Sequence, residues 1–292
     1  MFFDAHTHTN FNVYKNDSDE VIKRALHDGV WMIQVGSQKD TSERAIEIAQ
    51  NYPSGVFAAV ALHPLHLFDM EIDESEESTL GVSKIRFHTR AEIFDKNVYR
   101  TLAQSSKKVV AIGECGLDYF RLPHGEEDIW RARQKETLIQ HFELARELRL
   151  PIMIHSRASN DDPILVYQDI FDIISEFPEV RGMMHCYLCP DPVMAKQFID
   201  RGLYLSFSGV ITFKNAHAIR DIVKIVPLKQ IFSETDAPYL TPLPYRGKRN
   251  EPSFVKFVTQ KIAQIKEINE TEVEKQIFQN AKEFFQLPNG QL

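Results

Sequence analysis

Cysteine is scarce in this chain. Three occur in 292 residues: Cys115, Cys186 and Cys189. An odd, small number builds no disulfide framework and points to a reducing compartment. It also excludes a four-cysteine zinc site. Cys186-x-x-Cys189 lacks the surroundings of a thioredoxin-like motif, so both residues are read as structural and Cys115 as small packing. Long apolar runs are missing too. The longest clean one, Val56 to Leu62, falls far short of the roughly 20 residues that a membrane-spanning helix needs. The opening Met-Phe-Phe-Asp-Ala-His has neither the basic nor the long apolar region of a signal peptide. A basic excess is absent as well: 34 Lys and Arg stand against 41 Asp and Glu, a formal net charge of -7. That argues against a protein coated in nucleic acid, because such binding rests on many Lys/Arg–phosphate contacts. It leaves room for a local basic patch inside a cleft. There is no internal repeat and no low-complexity tract. The expectation is a soluble cytoplasmic protein with no membrane and no obligate protein partner.

What is present is an alternation. Short apolar runs, rich in Val, Ile, Phe and Met, lie at Phe2–Ala5, Trp31–Val35, Val56–Leu62, Val109–Ile112, Pro151–Ile154, Gly182–Met184, Leu203–Phe207 and Gln230–Phe232. Strands buried on both faces read this way. Helical patterns lie between them, at Asp19–Asp28, Ser42–Asn51, Glu126–Leu148, Asp161–Phe177, Asp191–Arg201, Lys214–Val226, Glu251–Ile265 and Glu270–Phe285. The clearest is Glu126–Leu148, where Leu138, Phe142, Ala145 and Leu148 recur at three- and four-residue spacing. Gly29 is placed to end the first helix. Strands alternating with helices predict a parallel sheet, and eight such units predict a closed (β/α)8 TIM barrel. Length alone suggests two domains at about 150 residues each, but barrels of roughly 250 residues fold as one. The reading is a single barrel domain over 1–292.

Residues 69–96 break the rhythm. Asp69, Glu71, Asp73, Glu74, Glu76 and Glu77 crowd together, and Ile85-Arg-Phe-His-Thr-Arg90 looks like a short strand. This is read as an acidic insertion after the third strand, partly disordered, with a lid or partner surface as the alternative.

The chemistry-bearing residues recur where apolar runs stop. His6 and His8 follow the first run, Glu114 the fourth, His155 the fifth, His185 the sixth and Asp236 the eighth. In a barrel of parallel strands these ends share one face, which is where barrel enzymes hold their active sites. An imidazole–x–imidazole pair on a strand points both rings the same way. A carboxylate such as Glu114 has two oxygens and can serve two metals. Four His and two carboxylates form a mixed N/O set that suits zinc, manganese, iron or cobalt better than calcium. Two divalent ions about 3.5–4 Å apart would activate water for hydrolysis, with Asp236 able to take its proton. A lone His is more often a satisfied polar residue than a ligand, and His27, His88, His141 and His217 are read so. His63, in His63-Pro-x-His66, lies at the same mouth and is read as a substrate contact. Tyr245-Arg-Gly-Lys-Arg-Asn250 brings Arg246, Lys248 and Arg249 to the loop after strand eight, and Arg157 follows strand five. Barrel enzymes often bind phosphate at the last loops, so these cations are candidate phosphate contacts.

Phe3-Asp-Ala-His-Thr-His8, Ala111-Ile-Gly-Glu-Cys-Gly-Leu-Asp-Tyr119, Leu150-Pro-Ile-Met-Ile-His-Ser-Arg157, Met184-His-Cys186, Ser206-Phe-Ser-Gly-Val-Ile-Thr-Phe-Lys-Asn215, Glu234-Thr-Asp-Ala-Pro-Tyr-Leu240 and Arg246-Gly-Lys-Arg-Asn-Glu-Pro252 together resemble the TatD family of metal-dependent deoxyribonucleases. The likeness runs from end to end apart from 69–96. It implies an amidohydrolase-type barrel, divalent metals (Mg2+, Mn2+ or Zn2+) and hydrolysis of phosphodiester bonds in DNA, from the 3′ end of single strands. It further implies that His6, His8 and Asp236 bind one ion and His155 and His185 the other, with Glu114 between. Cys115 departs from the usual Ile or Thr of the family, and the acidic insertion is a larger departure. The alternative is a hydrolase of esters, amides or aminoacyl-tRNA using the same metals. A non-enzymatic binding protein on the same scaffold is a third reading, against which the intact ligand set speaks.

Overall fold

The apolar runs fold as expected, and the computed structural model describes residues 1–73 and 86–288. In chain order the strands are β1 (Phe2–Thr7), β2 (Val30–Val35), β3 (Val56–Val60), β4 (Glu71–Asp73), β5 (Arg86–His88), β6 (Val109–Asp118), β7 (Ile152–Arg157), β8 (Gly182–Met184), β9 (Tyr204–Phe207) and β10 (Ile231–Ser233). Eight of them form one sheet in the order β1-β2-β3-β6-β7-β8-β9-β10, and every adjacent pair in it is parallel. The ends of the sheet meet after β1 and β10. Thr7 bridges Ala237, the His8 N–H donates to the Ala237 carbonyl at 2.8 Å, and the Asp236 N–H donates to that of His6 at 2.9 Å. The result is a nearly closed (β/α)8 barrel. The closing seam carries His6, His8 and Asp236.

The helices are α1 (Ser18–His27), α2 (Lys39–Gln50), α3 (Lys96–Gln104), α4 (Glu127–Leu148), α5 (Leu165–Ser175), α6 (Pro192–Asp200), α7 (His217–Ile225), α8 (Val255–Lys266) and α9 (Glu270–Phe284). Gly29 follows α1 at φ 74°, as its position suggested. The start of α5 is later than its apolar pattern: Asp162 Oδ1 accepts the N–H groups of Ile164 and Leu165, both at 3.0 Å, and so turns the chain before the helix begins. The pattern reading omitted α3. Its buried face is only Tyr99 and Ala103, too sparse for a periodic signal. Its start is fixed by Asp95, which accepts the Asn97 N–H at 2.8 Å.

Two apolar layers hold the barrel. One packs helices on the outside of the strands. The other lies within the strands, where Phe3, Ile33, Phe57, Met153, Met183 and Phe232 join Phe284, Phe285 and Leu287. The end of α9 thus closes the barrel at its N-terminal face, with Phe285 stacked 5.9 Å from Phe3. Burying each such side chain contributes about 1.5–3 kcal/mol. The opposite face is left to polar side chains. The short antiparallel pair β4–β5 matches Glu71 with His88 and Ile72 with Phe87, so a strand forms within the expected stretch, over Arg86–His88, while Ile85 lies outside the described residues. Glu74, Glu76 and Glu77 of the acidic run lie outside the described residues.

His141 is a satisfied core histidine, as expected. Its Nδ1–H donates to the Thr137 carbonyl at 2.8 Å and its Nε2 accepts the Leu62 N–H at 3.1 Å. Protonation would destroy the second bond. Burial depresses its pKa to about 4, below its unfolded value. The neutral form therefore contributes stability that is complete above about pH 6.5 and is lost as pH falls toward 4, on the order of 3 kcal/mol. Denaturant titrations between pH 7 and 4 should show this loss. In His141→Gln the pH dependence over that window should be visibly flatter; an unchanged slope would remove His141 as its source.

Candidate metal centre

The site stands where strand pairing continues past the apolar runs. His6 lies inside β1, Glu114 inside β6 and His155 inside β7, although the apolar patterns stop short of each. At the mouth the backbone ladder persists while the side chains turn polar. Between Ile112 and Cys115 the register of β6 against β7 shifts, and the Glu114 N–H turns to the Gly36 carbonyl at 3.2 Å. This irregularity brings the Glu114 carboxylate to the mouth, where it is buried.

Glu114 sits between the histidines. Its Oε2 is 3.3 Å from His6 Nε2 and 3.7 Å from His8 Nε2. Its Oε1 is 2.7 Å from His155 Nδ1 and 3.5 Å from both His185 Nε2 and His63 Nε2. Asp236 completes the first side, with Oδ1 3.4 Å from His8 Nε2 and 3.7 Å from His6 Nε2. Asp236 adopts φ 54°, a left-handed conformation that Asp tolerates. Among the described residues, one ligand atom each from His6, His8 and Asp236 lies within 4.8 Å of the others; so do those of His6, Glu114 and His185, and those of His63, Glu114 and His155. All six sequence-predicted ligands therefore converge, and His63 joins them.

The second nitrogens fix which ring atom carries a proton. His8 Nδ1 lies 2.9 Å from the Val35 carbonyl, which only accepts, so Nδ1 holds the proton and Nε2 offers its lone pair to the centre. His63 is the reverse. Its Nδ1 accepts the Leu65 N–H at 3.2 Å, so in the neutral ring Nε2–H points at Glu114. His63 is thus a donor at the mouth, whereas His8 has the state a metal ligand needs. His6 is buried beside the other imidazoles, and burial, then His185, depress its pKa to about 4, keeping it neutral. Burial alone would raise the Glu114 carboxyl, but His63, His6, His185 and His155 around it hold it well below the usual range. Asp236 is held low against its burial in the same way, by His8, His185 and His6. His185 is the exception: against its burial, Glu234 and Glu114 raise its pKa to about 10, so a cation would have to displace its proton. Two carboxylates among imidazoles are still a donor set that fits divalent cations.

The sequence reading passed over three carboxylates behind the ring. Glu234 Oε1 is 2.9 Å from His185 Nδ1. Asp118 Oδ2 is 3.5 Å from His155 Nε2. Asp4 accepts the Thr235 N–H at 2.8 Å and the Thr235 hydroxyl at 2.5 Å, tying β1 to the chain that carries Asp236. The signal for one of them was the strand period: Asp4 precedes His6 by two residues within β1, so the two share a side.

The cations expected to meet phosphate divide. Arg249 Nη1 donates to Asp17 Oδ1 at 2.9 Å, its Nη2 pairs with Asp17 Oδ2, and the guanidinium covers the Tyr14 ring at 4.4 Å. It ties the loop after β10 to the turn before α1. Arg246 and Lys248 are exposed on that same loop, with Arg246 4.2 Å above the Phe213 ring. Arg157 lies 4.2 Å from the ring of Phe120, itself 39% exposed. Cys115, Cys186 and Cys189 are free and buried. No described helix is long and apolar enough to cross a membrane.

Comparison with known proteins sets the chain among metal-dependent hydrolases. The family described as TatD related DNase matches residues 3–286. An uncharacterized metal-dependent hydrolase of Bacillus subtilis, YabD, is 36% identical over 288 residues, covering 98% of this chain and all of the relative. Another of that description from Methanocaldococcus jannaschii, MJ1582, is 30% identical over 284 residues, covering 97% of this chain and 96% of the relative. Among solved structures, the TatD homologue YjjV of Escherichia coli superposes with a TM-score of 0.75 at 24% identity, over 98% of each chain. By its sequence from end to end, this chain belongs to the TatD related DNase family of metal-dependent hydrolases.

Proposed function

We propose that this protein is a deoxyribonuclease that shortens single-stranded DNA from its 3′ end with the help of two divalent ions. One observation carries the reading: the two oxygens of Glu114 face different histidines, Oε2 toward His6 and His8, Oε1 toward His155 and His185. A carboxylate so placed suits one shared between two cations. His6, His8 and Asp236 would hold the first and His155 and His185 the second. When bound, Mg2+, Mn2+ or Zn2+ would polarise the phosphodiester and lower the pKa of water. Asp236, with its side chain 14% exposed at the mouth, takes the proton from the attacking water. His63 donates from Nε2–H to a phosphate oxygen. Arg157, Arg246 and Lys248 meet the DNA backbone, while Arg249 orders the loop that carries two of them. The description of the family as DNases supports a DNA substrate.

The test is cleavage of end-labelled single-stranded DNA by metal-stripped protein with Mg2+, Mn2+ or Zn2+ restored. Stepwise shortening from the 3′ end that requires the ion is the expected result. Metal uptake without cleavage of any oligonucleotide would overturn the DNA assignment in favour of an ester, amide or aminoacyl-tRNA substrate.

A further inference from the structure

The two sides of Glu114 differ in what stands behind their histidines. On the Oε2 side the outer contacts are neutral: His8 Nδ1 meets the Val35 carbonyl at 2.9 Å and His6 Nδ1 lies 2.9 Å from the Met153 thioether. That side has an anion of its own in Asp236. On the Oε1 side the outer contacts are charged. His185 Nδ1 lies 2.9 Å from Glu234 and His155 Nε2 lies 3.5 Å from Asp118. Asp236 reaches that side only at 4.0 Å from His185 Nε2, so the inner carboxylate nearest to it is the shared Glu114, at 3.5 Å from His185 and 2.7 Å from His155.

Both outer carboxylates are completely buried and held in place by hydrogen bonds. Glu234 Oε1 also accepts the Cys186 N–H at 2.8 Å, and its Oε2 accepts the Ser206 hydroxyl at 2.5 Å. Asp118 Oδ1 accepts the N–H groups of Phe120 and Arg121 at 3.0 and 3.1 Å, which leaves Oδ2 toward His155 at 3.5 Å, with the Arg121 guanidinium 3.9 Å away on its other side. Burying a carboxylate without compensation is costly, so a pair of them aimed at two imidazoles asks for a reason. A carboxylate on the far nitrogen of a histidine fixes its tautomer, holds the ring and makes the near nitrogen more basic.

We propose that Glu234 and Asp118 are positioning residues for one half of the centre: they supply, through His185 and His155, the negative charge that Asp236 supplies directly to the other half. The inference rests on the two-ion reading above. It makes the halves inequivalent. Loss of either outer carboxylate weakens the ion held by His155 and His185 and spares the ion held by His6, His8 and Asp236.

The experiment is calorimetric titration of metal-free protein with Mn2+, together with the visible spectrum on titration with Co2+, for the wild type, Glu234→Gln and Asp118→Asn. The wild type should take up two ions. Each variant should keep one at wild-type affinity and bind the other about 10–100-fold more weakly, with the Co2+ bands of that one ion displaced. A purely structural role would lower thermal stability and move both affinities together or neither. If Glu234→Gln does not fold, Ser206→Ala, which removes only the grip on Oε2, should produce a smaller loss at the same ion. Two ions bound at wild-type affinity in the folded variants, or equal weakening of both, would overturn the proposal. A wild type that takes up a single ion would instead overturn the two-ion reading, and this inference with it.

Discussion

Replacing Asp236 with Asn should lower kcat on single-stranded DNA by about 10²–10⁴-fold, the usual contribution of a positioned proton acceptor. Asn matches Asp in volume and is among the few residues that adopt φ near 54° readily, so the turn after β10 should survive. The Asp236 N–H bond to the His6 carbonyl involves only backbone and is untouched. What changes is charge. The Oδ1 that faces His8 and His6 becomes a neutral amide oxygen with little affinity for a proton. Because Asp236 is also a proposed ligand, the assay belongs at saturating ion, with metal content measured in parallel. A variant that holds its metal and still turns over at the wild-type rate would remove Asp236 from the mechanism. A far-ultraviolet spectrum like that of the wild type is the check that the barrel is intact.

Gly116→Ala should be strongly damaging. Gly116 pairs with His155 in the β6–β7 ladder. A Cβ there would stand 2.0 Å from the His155 carbonyl oxygen and 2.8 Å from its nitrogen, and φ is +156°. Both obstacles are backbone, so no rotamer change relieves them. Strand β6 or β7 must shift, and the shift falls between Glu114 and His155. We expect a loss of about 3 kcal/mol or more, which is roughly 6–12 °C in Tm for a chain of this size. Weaker metal uptake should accompany it. Gly125→Ala is the control. Its φ is +83° but nothing lies within 4 Å of the added Cβ, so only the conformational cost of about 1 kcal/mol applies. Scanning calorimetry of both variants without metal decides the matter. Equal melting of Gly116→Ala and wild type would mean that the close approach of β6 to β7 is not as described.

Much of this site is legible before any folding is considered. A strand buried on both faces needs apolar side chains along its length, and a polar side chain is tolerated only where the barrel opens. His6, Glu114, His155, His185 and Asp236 each stand at such a transition, so their convergence follows from the alternation of strands and helices alone. The extents of the strands were less legible, because pairing at the mouth persists after the apolar signal ends. Helix α3 was hidden by having two buried residues and a start set by one cap. Nothing near Arg249 in the sequence reveals its ion-pair partner. Its partner, Asp17, lies far away in sequence, on the turn before α1.

The sequence by itself determined the barrel and the ligand types, since both depend on local periodicity and on which residues stand at strand ends. Tertiary structure alone decided which oxygen of Glu114 faces which histidine, and which nitrogen of His8 or His63 carries the proton. It also decided that Glu234 stands behind His185 and Asp118 behind His155. Each of these depends on the distance between atoms carried by different strands. Such distances are set by the register shift in β6, the closure of β1 on β10 and the packing of the strands around the mouth. No spacing along the chain encodes them.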